Sequence, residues 1–138
     1  MKTKVYLDMD GTIANLYAIE NWLERLINQD HLIFLEAKPV ITQEQLFAEY
    51  PESEYEIVIL TMTPKGATRE YCERVEVAKA IWLDWHFPKL TKRIYMEYGH
   101  NKNQRDSHKS IIIDDSTMIR ESWLGKAIMP KWGAALSI

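Results

Sequence analysis

With 138 residues the chain is long enough for one hydrophobic core and too short for two ordinary domains, so every functional group must share one compact unit. Its 46% hydrophobic and 27% charged residues exclude a disordered chain, and no apolar run is long enough to span a bilayer. A net charge of −3 supplies no overall attraction to polymeric nucleic acid, and the single cysteine, Cys72, reads as a packing residue of a cytoplasmic protein.

From the N-terminus, residues 5–7 form a short apolar strand that stops at Asp8, too short to be a signal-peptide core. A longer connection follows. Its first helix carries Ile19, Trp22, Leu23, Leu26 and Ile27 on one face, with Glu20, Asn21, Glu24 and Arg25 opposite. A second helix opens at Thr42, where Gln45 three residues on completes a capping box and Ile41 and Leu46 are placed for a hydrophobic staple. Residues 57–60 are the second strand. A long helix over about 69–86 carries Val75, Ala78, Ile81, Trp82 and Trp85 in one apolar stripe and stops at Pro88, with its tryptophans expected in the core. Lys79 on this segment reads as a solvated or stem-packed helix residue. Residues 94–96 and 111–113 are the third and fourth strands, with a fifth expected at 127–129 or 134–138. Strands alternating with helical segments predict an α/β fold, a parallel sheet with helices on both faces. No repeat, low-complexity tract or linker divides the chain.

Two of these strands run into paired carboxylates, the first into Asp8-Met9-Asp10 and the fourth into Asp114-Asp115. In an open parallel sheet the ligand crevice lies outside the carboxyl ends of the strands, so both pairs face one cleft. One pair alone is as easily a helix cap or a turn; two pairs at strand ends carry the functional reading. Like charges ~4 Å apart repel by about 4 kcal/mol at an effective dielectric of 20, so the cluster needs a cation. Oxygen ligands suit a hard divalent ion, magnesium. The histidines, His31, His86, His100 and His108, lack zinc-type spacing and read as surface or packing residues.

Asp8-Met9-Asp10-Gly11-Thr12 resembles the DxDGT signature of the haloacid dehalogenase superfamily, whose members are mostly phosphatases. The strand ending at Thr61 resembles the second motif of that family, and the strand ending at Asp114-Asp115 resembles the fourth. The third motif is a lysine between them. Lys102, which follows the third strand and is read as opening a helix before the last motif, is the first choice, and Lys109 is the alternative. The resemblance implies a three-layer, Rossmann-like parallel sheet with a small helical cap at about 15–52 inside a single domain covering 1–138.

It also implies a magnesium-dependent phosphomonoesterase working through an aspartyl-phosphate. Asp8 is then the nucleophile and a metal ligand. Asp10 is the acid and then the base, with its backbone carbonyl on the metal. Thr61 and Lys102 bind the phosphoryl group, Asp115 ligates the metal directly, and Asp114 binds it or orients water. Gly11 lets the chain turn beside the phosphate, and Thr12 braces the nucleophile loop.

The small cap, Thr-x-x-Pro ending at Pro64, Lys-x-x-Trp from Lys79 to Trp82 and the terminal Asp-Asp resemble the deoxyribonucleotidase branch of that family. The implied substrate is a nucleoside monophosphate, a small-molecule phosphomonoester, with Tyr17, Trp22, Phe34, Phe47 and Tyr50 available to stack a base. The cap is lean, which keeps open a general phosphatase of sugar phosphates or other metabolites. A module of another class, binding metal and accepting phosphate without turnover, is the remaining alternative; the order of acids, Thr and Lys argues against a receiver domain.

Overall fold

Residues 1–132 are described by a computed structural model, in which the apolar runs of the sequence become one all-parallel sheet. The strands are β1 (Thr3–Leu7), β2 (Tyr55–Met62), β3 (Arg93–Met96), β4 (Ile111–Ile113) and β5 (Lys126–Ile128), ordered β3-β2-β1-β4-β5. The helices are α1 (Trp22–Ile27), α2 (Ile33–Glu36), α3 (Gln43–Glu49), α4 (Arg69–His86) and α5 (Thr117–Ser122). The expected alternative for the fifth strand at 134–138 lies outside the described residues.

Successive strand residues point to opposite faces, and each face has its own core. Val5, Leu7, Ile57 and Ile59 face Trp82, Leu83 and Phe87 at the end of α4, together with Ile13, Ile41 and Leu46 from the connection after β1. Tyr6, Val58, Leu60 and Ile112 face Trp123 and Ile119 at the end of α5. The result is the predicted three-layer α/β architecture of Rossmann-like type. Among the described residues no helix is long and apolar enough to cross a membrane.

The connection between β1 and β2 is not a detached lobe. Leu16, Ile33 and Phe34 pack on Tyr71, Val75 and Ala78 of α4, while Ala14, Ala37, Ile41 and Leu46 join the main core. Thr42 caps α3 as predicted, with its hydroxyl accepting from Gln45 N–H and Gln45 Oε1 accepting from Thr42 N–H. Ile41 and Leu46 are both buried, as the staple requires.

Two expectations for the helices are corrected. The broad amphipathic helix around Ile19–Ile27 shrinks to six residues with none buried, and Leu23 and Ile27 are exposed, because the left-handed Asn21 starts α1 late. On α4 the buried face runs through Tyr71, Val75, Ala78, Lys79, Trp82 and Leu83, leaving Ile81 and Trp85 exposed. The face is rotated because α2 and Ala37 lie over the Ala78–Trp82 side, where Trp82 Nε1 donates to the Ala37 carbonyl at 2.6 Å.

Sheet order and register together make the site. β1 pairs with β2 on one side and with β4 on the other, so the chain reverses its direction of travel across the sheet at β1 and opens a crevice there. The last β1–β2 pair is Leu7 with Ile59, yet β2 continues to Met62. Ile59 N–H and Thr63 N–H bond to the β3 side, so by alternation the Leu60 and Met62 carbonyls face the β1 side after β1 has ended.

Trp82 is fully buried, plugs the main core and tethers the connection after β1. Replacing it by alanine should cost about 3–5 kcal/mol of unfolding free energy. Denaturant titration measures this, and a loss below about 1 kcal/mol would contradict the packing described.

Candidate active site

The first acidic pair sits on a tight coil. Met9 is buried beneath it, and its carbonyl accepts from the N–H groups of Thr12, Ile13 and Ala14 at 3.0, 2.9 and 2.9 Å. Gly11 has φ +83°, and a Cβ there would collide with the Asp115 carboxylate and lie 2.7 Å from the Tyr17 ring. Glycine is therefore required by conformation and by space. The Thr12 hydroxyl lies 2.9 Å from Asp8 Oδ2 and 3.3 Å from Asp115 Oδ1, bracing both acidic segments.

The second pair arrives beside the first because Asp8 N–H donates to the Ile113 carbonyl at 3.0 Å, continuing the β1–β4 ladder by one residue. Asp114 Oδ1 accepts from Ser116 N–H at 2.9 Å, which fixes the turn into α5. Asp8, Asp114 and Asp115 each present an oxygen, all within 4.8 Å of one another. The Asp10 carboxylate is not among these three, in keeping with a separate role for its side chain.

Two buried lysines complete the cluster. Lys102 Nζ reaches Asp114 Oδ2 at 2.7 Å, Asp8 Oδ1 at 2.9 Å and the Leu60 carbonyl at 3.0 Å. It lies on an irregular loop after β3, not at the start of a helix; the helical piece before β4 is a single 3₁₀ turn, Ser107–Lys109. Lys109, in that turn, is exposed, and the geometry places Lys102 at the carboxylates. Lys79, expected to be solvated or packed through its stem, is instead 1% exposed with its ammonium 3.0 Å from Asp10 Oδ2. It also donates to Thr61 Oγ1 at 2.7 Å and the Met62 carbonyl at 2.8 Å. The sequence does hold a signal for it: Lys79 falls four residues after Val75 and three before Trp82, on the apolar stripe itself.

Four carboxylates and two ammonium groups leave a formal charge of −2 in this pocket, which one divalent cation would balance. Without a cation, protons do part of that work. Burial, then the Asp8 charge, pushes Asp115 up to about 8 and Asp114 up to about 6. Burial also raises Asp10, against the pull of Lys79. Asp8 is different: burial works against its charge, but Lys102 and hydrogen bonds from Asp115, Lys102 and Thr12 outweigh burial and hold it below its ordinary value. Burial likewise opposes the Lys102 charge, and Asp8 and Asp114 override it, so the ammonium stays protonated. The three-carboxylate set thus fits a hard divalent ion such as magnesium, with Asp8, Asp114 and Asp115 as the side chains that would hold it.

Of the aromatic residues in the connection after β1, Tyr17 stands at the acids, packed edge-on against Trp22 with centroids 4.7 Å apart. Phe34 is buried against α4, and Phe47 and Tyr50 pack on the main core. A groove of about 670 Å³ opens beyond Thr63 and Pro64, lined also by Arg69, Tyr95 and Tyr98. Compared with known proteins, the chain matches no family model and none of the curated proteins.

Raised carboxyl pKa values mean that the folded state holds more protons than the unfolded one between about pH 4 and pH 8, so this cluster stabilises the fold less as pH rises through that window. His86, lowered by burial, adds a slope of opposite sign, so the informative quantity is the change produced by magnesium. Magnesium should displace the extra protons and raise the melting temperature more at pH 8.5 than at pH 5.5. Asp115→Asn should remove most of that increment; an equal magnesium shift at both pH values would count against the site.

Proposed function

We propose that the chain is a magnesium-dependent phosphomonoesterase that forms an aspartyl-phosphate on Asp8. The observation that carries this reading is the convergence of Asp8, Asp114 and Asp115 on one point beside the buried Lys102, with Asp10 and Thr61 at the same sheet edge. The resemblance of the sequence around Asp8, Thr61, Lys102 and Asp115 to the haloacid dehalogenase phosphatases supports it.

A carboxylate approaching a phosphate dianion meets repulsion, and bound magnesium would offset that charge. Lys102 does the same for Asp8 and keeps it ionised, the form that attacks. As the Asp8–phosphorus bond forms, the bond from phosphorus to the leaving oxygen breaks and Asp10 delivers a proton to that oxygen. Water then attacks the aspartyl-phosphate, Asp10 takes one of its protons, and inorganic phosphate leaves with Asp8 regenerated. Backing from Lys79 leaves the Thr61 hydroxyl hydrogen free to donate to a phosphoryl oxygen. The leaving group is read as a nucleoside: Tyr17 stands beside the acids, where an aromatic ring can stack a base, and the sequence resembles the deoxyribonucleotidase branch. A cytoplasmic setting is part of this reading.

Phosphate release from nucleoside monophosphates, sugar phosphates and p-nitrophenyl phosphate tests it. Release should require magnesium and disappear in Asp8→Asn, while Asp10→Asn should lower kcat by about 10²–10⁴. Nucleotides should be hydrolysed faster than sugar phosphates; the reverse order would assign a general metabolite phosphatase. A stable phosphorylated Asp8 without release would assign a phospho-acceptor.

A further inference from the structure

One buried charge is not required by the family-type roles of Asp8, Asp10, Thr61 and Lys102. The Lys79 ammonium donates to Thr61 Oγ1 and to the Met62 carbonyl and forms an ion pair with Asp10 Oδ2 at 3.0 Å. The Phe34 ring lies over it, with the centroid 5.1 Å from Nζ. A lysine kept for its stem would hold its head in water. Burying the head instead carries a desolvation cost that a methionine at the same place would avoid. With three protein oxygens around a fully buried Nζ, Lys79 acts through the groups it holds.

On the phosphomonoesterase reading both of those groups act on the substrate. Thr61 Oγ1 accepts from Lys79, so its single hydrogen is left to donate outward. Asp10 Oδ2 is held by Lys79, so Oδ1 is the oxygen left to carry the transferable proton. We propose that Lys79 is a positioning residue for proton transfer to the leaving group, fixing which Asp10 oxygen carries the proton and meeting the carboxylate charge that appears when the proton leaves. This assignment rests on the phosphomonoesterase reading of the site. The balance is closed: the Asp8–phosphorus bond forms, the phosphorus–oxygen bond to the leaving group breaks, and the proton passes from Asp10 Oδ1 to that oxygen. Asp10 is then a carboxylate paired with Lys79, an interaction strongest at the moment charge develops on the acid.

The test is the leaving-group dependence of kcat/KM in Lys79→Met, which removes the ammonium and keeps most of the stem volume. An alkyl phosphate such as a nucleoside 5′-phosphate needs its leaving oxygen protonated; p-nitrophenyl phosphate does not. Loss of Lys79 should lower kcat/KM by about a hundredfold for the alkyl ester and by less than about tenfold for the aryl ester. In Lys79→Met/Asp10→Asn the two losses on the alkyl ester should not add, since one residue acts through the other. Thermal melting checks that the variants are folded, and Lys79→Gln carries the same comparison if Lys79→Met is not. Equal losses on both esters, or additive losses in the double variant, overturn the assignment while leaving the phosphatase reading intact. Absence of turnover by the wild-type protein overturns both.

Discussion

The structure turns on a charge balance at the point where β1 stops and β2 continues. Four carboxylates gather there, and two lysine ammonium groups are buried among them. Each lysine is also anchored by a carbonyl of the β2 overhang, Leu60 for Lys102 and Met62 for Lys79. Those carbonyls are available because the register with β1 ends at Ile59. Unmet acceptors at a buried strand end are costly, so the strand overhang and the two lysines satisfy one another. The excess negative charge that remains is what a divalent cation can neutralise, and it is held in place by elements whose main business is packing.

The helix α4 shows how closely scaffold and site are joined. Trp82 and Leu83 fill the core beneath the sheet, Tyr71, Val75 and Ala78 receive the connection after β1, and Lys79, between them, enters the acidic pocket. The same 18-residue helix therefore supports the core and positions a buried ammonium in the acidic pocket. The connection after β1 covers this helix through Leu16, Ile33 and Phe34, with the Phe34 ring over the Lys79 ammonium, and places Tyr17 beside Gly11 and Asp115. A low local dielectric follows, and it strengthens each ion pair at the same time as it penalises any charge left without a partner.

Asp8 stands apart from Asp10, Asp114 and Asp115 because of its surroundings. Asp8 is held ionised by Lys102, whereas burial and the Asp8 charge push Asp115 towards its neutral form. Divergent environments for neighbouring carboxylates are how one site supplies an ionised group and a proton-holding group at the same pH. Here Lys102 reaches both Asp8 and Asp114, and Asp8 stays charged because hydrogen bonds from Asp115 and Thr12 add to the pull of Lys102, while burial and the Asp8 charge prevail at Asp114.

The apolar strand cores, the α/β alternation, the Thr42 capping box and the two acidic pairs at strand ends were legible in the sequence, because local periodicity and capping chemistry depend on residues within a few positions of one another. So was the glycine at position 11, whose neighbours on both sides are site residues. The exposure of Ile81 and Trp85 and the shortening of the first helix were not, and for the burial of Lys79 the only sign was its place on the apolar stripe. Each depends on which face of an element meets which distant segment: α4 is turned by α2 and Ala37, and α1 is covered only at Trp22 and Leu26, leaving Leu23 and Ile27 exposed. The positions of Lys102 and Lys109 likewise follow from the path of a loop without period or cap, which brings the first ammonium to Asp8 across 94 residues of chain and leaves the second exposed. Local pattern determines what an element is, and only long-range packing decides what its charged residues touch.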